Sequence, residues 1–179
     1  MSVQWTRMRN LLKARAGERF ALVNDVVTGD MVLVDLQHLY IVMSDSTYEQ
    51  ELNREIIEKA RGDVLSLGFG IGFILQPLMA NPAVTSITVI EKEQEVLDLC
   101  MAQLKLDPKV RVILADALEW IPDRMFDVIY DDCNYMPGNI QRVEEAGGIS
   151  DNGRRLSPWL KEGGEYIRWT TPQERGYYV

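Results

Sequence analysis

Three alternating glycines mark the stretch of this chain best suited to binding a ligand through its backbone. Gly68, Gly70 and Gly72 directly follow the apolar run 64–67. A strand that passes through a glycine-rich turn into a helix lets a ligand approach the bare main chain and its unpaired N–H groups. The dinucleotide pattern G-x-G-x-x-G needs a small residue at position 73, where this chain has Phe73. The spacing therefore predicts a loop that closes over a nucleoside and has no pyrophosphate to cradle.

Acidic residues follow each of the next three apolar segments. Glu91 lies about 20 residues beyond the glycine turn, where an open α/β sheet presents a carboxylate to a ribose. Such a carboxylate accepts two hydrogen bonds from vicinal hydroxyls, whereas it would repel a phosphate. The acids found at the ends of apolar segments are Glu91, Asp116, Asp131 and Asp132.

The elements that must position these residues are strands alternating with helices. Apolar runs at 62–67, 85–90, 110–114 and 126–130 read as strands, and the clearest helical pattern is 93–106. This alternation implies a parallel sheet with right-handed crossovers, and ligands bind such sheets beyond the carboxyl ends of the strands. We therefore expect an α/β fold with a Rossmann-like open, mostly parallel sheet flanked by helices. An N-terminal helix and β-strand extension precedes it.

That extension has its own pattern. Residues 1–17 predict an amphipathic helix, whose basic face we interpret as solvated, and the segments 20–27 and 31–43 predict strands. Ser46 and Glu49 form a capping box that predicts a helix running to about residue 60.

Length and charge narrow the range of partners. The chain has 179 residues, a net charge of −8 and an isoelectric point near 4.7. The length predicts a single globular domain, with residues 1–60 as the extension and lid helix and 61–179 as the core. The acidic balance disfavours a nucleic-acid partner, because neutralising phosphates takes clustered Lys and Arg.

The chain carries no pattern typical of a membrane, metal or secretion signal. No apolar run approaches the ~20 residues of a membrane-crossing helix, and no signal peptide is expected. Two cysteines without metal or redox spacing suit a reducing cytoplasm. We expect no bound metal. A homodimer paired through the N-terminal strands is left open.

The order of these motifs resembles that of class I S-adenosylmethionine-dependent methyltransferases. The likeness covers roughly residues 62–170 and rests on five segments taken together: 67–72, 89–91, 115–117, 126–129 and 160–164. It implies S-adenosylmethionine as the cofactor and a small-molecule methyl acceptor, with an amine as the first candidate.

The resemblance also implies a cofactor site. The glycine loop would pass the methionine and ribose part of the cofactor, Glu91 would hold the ribose hydroxyls, and Asp116 with Ala117 would meet the adenine. Asp116 has an alternative role as the cap of a helix over 117–121. The expected cofactor-binding residues are Gly68, Phe69, Gly70, Gly72, Glu91, Lys92, Asp116, Ala117, Asp131 and Gln50.

The expected catalytic residues are Asp132, Asp131 and Tyr135. Side chains alternate along a strand, so one of two adjacent acids points into the pocket, and alignment on 126–129 favours Asp132. With an amine acceptor, Asp132 would accept the N–H hydrogen bond and orient the nitrogen lone pair. Asp132 and Tyr135 also resemble the D-P-P-Y motif of amino-group methyltransferases, without its two prolines.

A narrower likeness points to the spermidine-synthase-like branch. Residues 89–96 and 116–121 are similar to its motifs, as are the N-terminal strands that lead into a helix bearing Tyr48 and Gln50. The branch carries D-S-S-D after the fourth strand, and here Tyr135 replaces the second acid. Two alternatives follow: an aminopropyltransferase that uses decarboxylated S-adenosylmethionine, or a non-catalytic S-adenosylmethionine-binding module.

Overall fold

The core of the fold is a five-stranded sheet in which every neighbouring pair is parallel. The computed structural model describes residues 5–133 and 151–169. The strand order is β7-β6-β5-β8-β9. These strands are β5 (Gly62–Leu67), β6 (Val84–Glu91), β7 (Val110–Leu114), β8 (Phe126–Asp131) and β9 (Leu160–Arg168).

Strands β5 and β8 form the centre of this sheet because they are apolar on both faces. Val64, Leu65, Val128 and Ile129 are completely buried, as expected where helices cover both faces of a parallel sheet. The strand order reverses between β5 and β8, and open α/β sheets bind ligands at such a switch point.

In the described part of the chain, five short helices lie around the two sheets. They are α1 (Thr47–Leu52), α2 (Arg54–Lys59), α3 (Leu75–Ala80), α4 (Gln94–Leu99) and α5 (Asp151–Leu156), with 3₁₀ turns at Met8–Asn10, Met101–Gln103 and Ser157–Trp159. The predicted cap is confirmed, since Ser46 accepts a hydrogen bond from the Glu49 backbone N–H at 3.3 Å.

Two predicted helices are shorter than expected. The helix after Ser46 is interrupted at Asn53, whose side chain donates to the Glu49 carbonyl at 2.9 Å and whose backbone leaves the helical region. The pattern at 93–106 forms α4 and then a 3₁₀ turn, and Gln103 bonds back to the Leu99 carbonyl.

A four-stranded antiparallel sheet, which we call the cover sheet, precedes the core. Its strands, in spatial and chain order, are β1 (Arg15–Ala16), β2 (Phe20–Asn24), β3 (Met31–Asp35) and β4 (Tyr40–Ser44). Its buried Phe20 and Leu33 belong to the same apolar cluster as Phe69 and Phe73 of the core. The α/β fold with N-terminal strands is thus confirmed, whereas the division at residue 60 stays a prediction.

The predicted amphipathic helix over 1–17 is wrong. In the described part of this segment, only Met8–Asn10 is helical, and Arg15–Ala16 is a strand. Polar groups of this segment form hydrogen bonds and ion pairs with residues distant in the sequence, where a helix would have satisfied them locally. Asp45 accepts a hydrogen bond from the Met8 backbone N–H at 2.5 Å, and Arg7 pairs with Asp30. Among the described residues, no helix is long and apolar enough to cross a bilayer.

Candidate functional site

A cavity of about 450 Å³ lies at the carboxyl ends of β5, β6, β7 and β8, under the cover sheet. Ligand pockets for small molecules span roughly 300–1,000 Å³, so the cavity has room for a nucleoside-sized ligand. Core strands supply one wall, and Leu33, Tyr40, Ile41, Val42 and Met43 supply another from β3 and β4.

The glycine loop forms the floor of the cavity. Gly68 and Gly70 line it with φ values of +96° and +53°, which residues with a Cβ rarely adopt. At Gly70 a Cβ would lie 2.5 Å from the Met43 sulfur, so the cover sheet rests directly on the loop. Gly72 and Phe69 do not line the cavity. A Cβ at Gly72 would instead meet Leu104, which gives that glycine a packing role.

Glu91 lines the cavity with its carboxylate held by two backbone groups. Phe69 N–H donates to Oε2 and Glu93 N–H donates to Oε1, each at 2.9 Å. Each carboxylate oxygen can accept a second hydrogen bond. Although Glu91 is only 9% exposed, it has acceptor capacity left for a diol. Lys92, the next residue, also lines the cavity.

Asp116 and Ala117 meet Glu91 in the same cavity. The alternative for Asp116 was a cap on a helix over 117–121, but the chain forms only a turn at 117–119. The Asp116 carboxylate accepts from the Leu118 N–H at 2.8 Å, which fixes this turn against the cavity. Asp116 therefore both stabilises the turn at 117–119 and lines the cavity.

The two acids at the end of β8 point in different directions. Asp131 is buried away from the cavity, where it accepts hydrogen bonds from Asn152 (3.4 Å), from the Cys133 thiol (3.2 Å) and from the Tyr166 hydroxyl. Asp132 lines the cavity beside Gly68. Tyr135, the third predicted catalytic residue, lies outside the described residues.

The Asp132 carboxyl has an unusual electrostatic environment. Within 5–133 and 151–169 it has no hydrogen-bond or ion-pair partner. Its pKa is raised well above the ordinary value, first by burial and then by the negative charges of Glu49 and Asp131. Part of its surface still opens into the cavity, so a ligand there can reach it.

Helix α1 presents side chains other than that of the expected Gln50 to the cavity. Gln50 does not line the cavity, because its amide donates to the Asp45 carbonyl at 3.4 Å. Tyr48 and Glu49 line it instead. No sequence signal separates these neighbours, since the packing of α1 decides which of them faces inward.

Glu49 is held in place by two donors. Its Oε2 accepts from the Asn53 amide at 3.3 Å, and the Trp169 indole N–H also donates to the carboxylate. Burial raises the pKa of Glu49, and these hydrogen bonds only partly offset that effect.

Sequence reasoning also missed the ion-pair network at the rim. Arg19 directly precedes β2 of the cover sheet. Its guanidinium pairs with Asp35 at 2.9 Å and with Glu93 at 3.0 Å, and its backbone N–H donates to the Glu95 carboxylate at 3.1 Å. The alternating acids Glu91, Glu93 and Glu95 thus connect the glycine loop to the cover sheet. Their regular spacing in the sequence was the available signal.

The remaining candidate nucleophiles are poorly suited to covalent chemistry. Burial raises the pKa of the Cys100 thiol to about 12 and that of the Cys133 thiol further still. His38 contacts Asp35 at 3.0 Å.

Comparison with known proteins gives fold likeness only. No protein-family model matches the sequence, and no curated protein is significantly similar to it. Among solved structures, spermidine synthase in complex with the transition state analogue AdoDATO is similar with a TM-score of 0.65 and 17% identity, over 87% of this chain and 56% of that one. Spermidine synthase from Thermotoga maritima gives a TM-score of 0.51 and 16% identity, over 65% of this chain and 44% of that one. The DhpI-SAM-HEP complex gives a TM-score of 0.51 and 22% identity, over 72% of this chain and 59% of that one.

These likenesses define the fold as that of the class I methyltransferases. The likeness to spermidine synthase extends over more than the core. An alignment over 87% of the chain leaves out fewer residues than the N-terminal 60, so it reaches into the extension. The chain spans about half the length of the solved structures it matches.

Proposed function

We propose that this chain is an S-adenosylmethionine-dependent methyltransferase that acts on a small-molecule amine. The observation that carries the proposal is a single cavity that joins the glycine loop, Glu91, the Asp116–Ala117 turn and Asp132. These groups come from four strand ends. The glycine spacing and Glu91 predict a nucleoside site, and the family resemblance implies the roles of the other groups.

The residues present fit an adenosyl group. Glu91 keeps one acceptor position on each carboxylate oxygen, which suits the two hydroxyls of a ribose. Gly68 and Gly70 leave bare backbone beside it, and Asp116 with Ala117 forms the wall that would meet the adenine. Bound S-adenosylmethionine would supply an electrophilic methyl group on a positively charged sulfur.

Asp132 is the residue proposed to orient the acceptor amine and to accept its proton. The nitrogen–methyl bond forms as the carbon–sulfur bond breaks with its electron pair left on sulfur, and the nitrogen must then lose a proton. A carboxylate beside the acceptor orients the nitrogen lone pair and takes that proton. Because the pKa of Asp132 is raised, its carboxylate is a better base than an ordinary aspartate.

The charge of the cavity supports an amine. Five acids line it, namely Glu49, Glu91, Glu93, Asp116 and Asp132, against Arg19 and Lys92 among the described residues. Arg19 is already bound to Asp35 and Glu93. An excess of negative charge attracts a cationic ligand and disfavours an anionic one.

One observation favours a second candidate, the transfer of an aminopropyl group from decarboxylated S-adenosylmethionine. Among the described residues that line the cavity near Asp132, Glu49 is a second acid, and no cation is placed to bind the amino-acid carboxylate of S-adenosylmethionine. A cofactor without that carboxylate would suit this end of the cavity. Tyr135, which stands where the second acid of D-S-S-D would be, argues against this candidate.

Product mass separates the candidates. The protein is incubated with S-adenosylmethionine or its decarboxylated form and a panel of small amines, and the products are analysed by mass spectrometry. We expect a product heavier by a methyl group, formed only with S-adenosylmethionine. An aminopropyl adduct would support the second candidate, and tight binding without any product would identify a binding module. The cytoplasmic location and the homodimer stay predictions.

A further inference from the structure

Glu49 faces Asp132 across the cavity from a different element of the fold. Glu49 comes from α1, at the junction between the cover sheet and the core, and Asp132 follows β8. The two positions are far apart in the sequence, and no motif links them. The fold alone brings these two carboxyls into one cavity.

Each carboxyl is arranged to act on a ligand in the cavity. Asn53 and Trp169 hold the Glu49 carboxylate by hydrogen bonds. Asp132 is enclosed by protein and lacks a polar partner within the described chain, although it opens into the cavity. A buried carboxyl without a partner is costly, and a cation beside it removes that cost.

We infer that Glu49 and Asp132 form a two-carboxyl subsite for the ammonium group of a primary amine, with Glu49 as a specificity-determining residue. This inference rests on the proposed function and deepens it by assigning the second acid. One carboxylate can take the proton of the reacting nitrogen while the other stays charged beside the developing cation. Glu49 would thereby supply from α1 an acid that the sequence after β8 lacks at Tyr135.

The neighbouring acid Asp131 does not belong to this subsite. Its carboxylate is occupied by Asn152, Cys133 and Tyr166 on the far side of the strand end. Its charge still acts on Asp132 through space, and it therefore strengthens the attraction for a cation without contacting the ligand.

The test measures preference for an amine over an alcohol of the same shape. The protein is saturated with S-adenosylhomocysteine, and the affinities of n-butylamine and 1-butanol are measured by calorimetric titration or competition. We expect the wild type to prefer the amine by at least about tenfold, since hydrogen bonds to charged groups are the strong ones. Glu49→Gln, which keeps the shape and removes the charge, should reduce the preference to about threefold or less.

Matched variants keep the test decisive. Glu51→Gln makes the same change on the exposed side of α1, where Glu51 pairs with Arg54, and should keep the wild-type preference. Glu49→Asp keeps the negative charge and should therefore retain most of the wild-type preference for the amine. If Glu49→Gln does not fold, Asp132→Asn must show the same loss of preference.

Two results would overturn the inference. One is a wild type that binds amine and alcohol equally well, and the other is a Glu49→Gln protein that keeps the full preference. If S-adenosylhomocysteine itself fails to bind the wild type, the proposed function fails and the inference falls with it. Binding of S-adenosylhomocysteine without any amine preference overturns the inference alone.

Discussion

The backbone N–H of Phe69 donates a 2.9 Å hydrogen bond to Oε2 of Glu91. This bond ties the glycine loop to the end of the neighbouring strand β6. Together with the bond from Glu93 N–H to Oε1, it fixes the carboxylate in one plane. The proposed diol ligand therefore meets a carboxylate whose orientation is set before binding.

Replacing Glu91 should abolish recognition of the ribose. We expect Glu91→Ala to weaken binding of S-adenosylhomocysteine by about 100-fold, since two charge-assisted hydrogen bonds are lost. Adenosine and 2′-deoxyadenosine should also bind this variant equally, whereas the wild type should prefer adenosine. Titration calorimetry on both proteins measures this, with Glu58→Gln on the exposed side of α2 as the control. An unchanged preference for adenosine in Glu91→Ala would contradict the assignment.

Gly70 offers a separate test of how the cover sheet meets the loop. Gly70→Ala forces a Cβ to within 2.5 Å of the Met43 sulfur in a left-handed backbone, whereas Gly163→Ala meets nothing within 4 Å at φ +73°. Both variants should lose about 1–2 kcal/mol in the free energy of unfolding from backbone strain. Gly70→Ala should lose more free energy of unfolding than Gly163→Ala, and it should bind S-adenosylhomocysteine more weakly.

A compensating change isolates the steric part. Met43→Ala in the Gly70→Ala background removes the clashing sulfur, so the double variant should recover stability relative to the sum of the single changes. Urea unfolding of all four proteins gives the coupling energy. Strict additivity would show that the close contact has no energetic consequence.

The core and its acids could be predicted from the sequence because local patterns determine them. The strand Val110–Leu114 has the predicted bounds, and Glu91 lies where the glycine spacing places it. Apolar runs that are buried on both faces stand out in a sequence, and parallel strands bring their carboxyl ends to one edge.

The parts that failed depend on contacts between distant segments. The basic residues near the N-terminus resemble a helix face, but Arg7 pairs with Asp30, directly before β3, and Arg19 pairs with Asp35 at the end of β3. Glu49 and not Gln50 faces the cavity because α1 packs in one rotation against the core. Neither outcome is encoded in local periodicity.

The Arg19–Asp35 pair should stabilise the cover sheet in a pH-dependent way. Burial alone would raise the pKa of Asp35, but hydrogen bonds from His38 and Arg19 outweigh it and hold the pKa well below its ordinary value. A carboxylate with a depressed folded-state pKa contributes its full stability above its unfolded pKa of about 4, and the contribution is lost as the pH falls below that value.

We therefore expect Arg19→Met to lower the free energy of unfolding by roughly 3 kcal/mol at pH 7, because Asp35 loses its cation while buried. The difference from wild type should narrow below pH of about 4. Arg111→Met breaks the exposed pair with Asp123 and should cost less than about 1 kcal/mol. Urea unfolding of both variants between pH 3 and 7 measures these changes. Equal losses in the free energy of unfolding would contradict the role given to the burial of Asp35.

Asp132→Asn should separate stability from activity. The pKa of Asp132 is raised in the folded protein by burial and by neighbouring negative charge. Between its unfolded pKa of about 4 and the raised value, the folded state binds the extra proton, so wild-type stability falls as the pH rises. The amide cannot ionise, and the variant should therefore match wild type near pH 4 and be the more stable protein at pH 8.

The same substitution should slow turnover by about 100-fold or more, the usual contribution of a positioned proton acceptor. Binding of S-adenosylhomocysteine should stay within about twofold of wild type, because the adenosyl contacts lie at Glu91 and Asp116. Melting temperatures at pH 4 and 8, with methyl-transfer rates at saturating cofactor, measure the two effects on one pair of proteins. A variant with unchanged turnover, or with the same pH dependence of melting as wild type, would remove Asp132 from the reaction. If turnover falls while the melting temperature at pH 8 rises, the buried Asp132 carboxyl lowers the stability of the free protein and is required for methyl transfer.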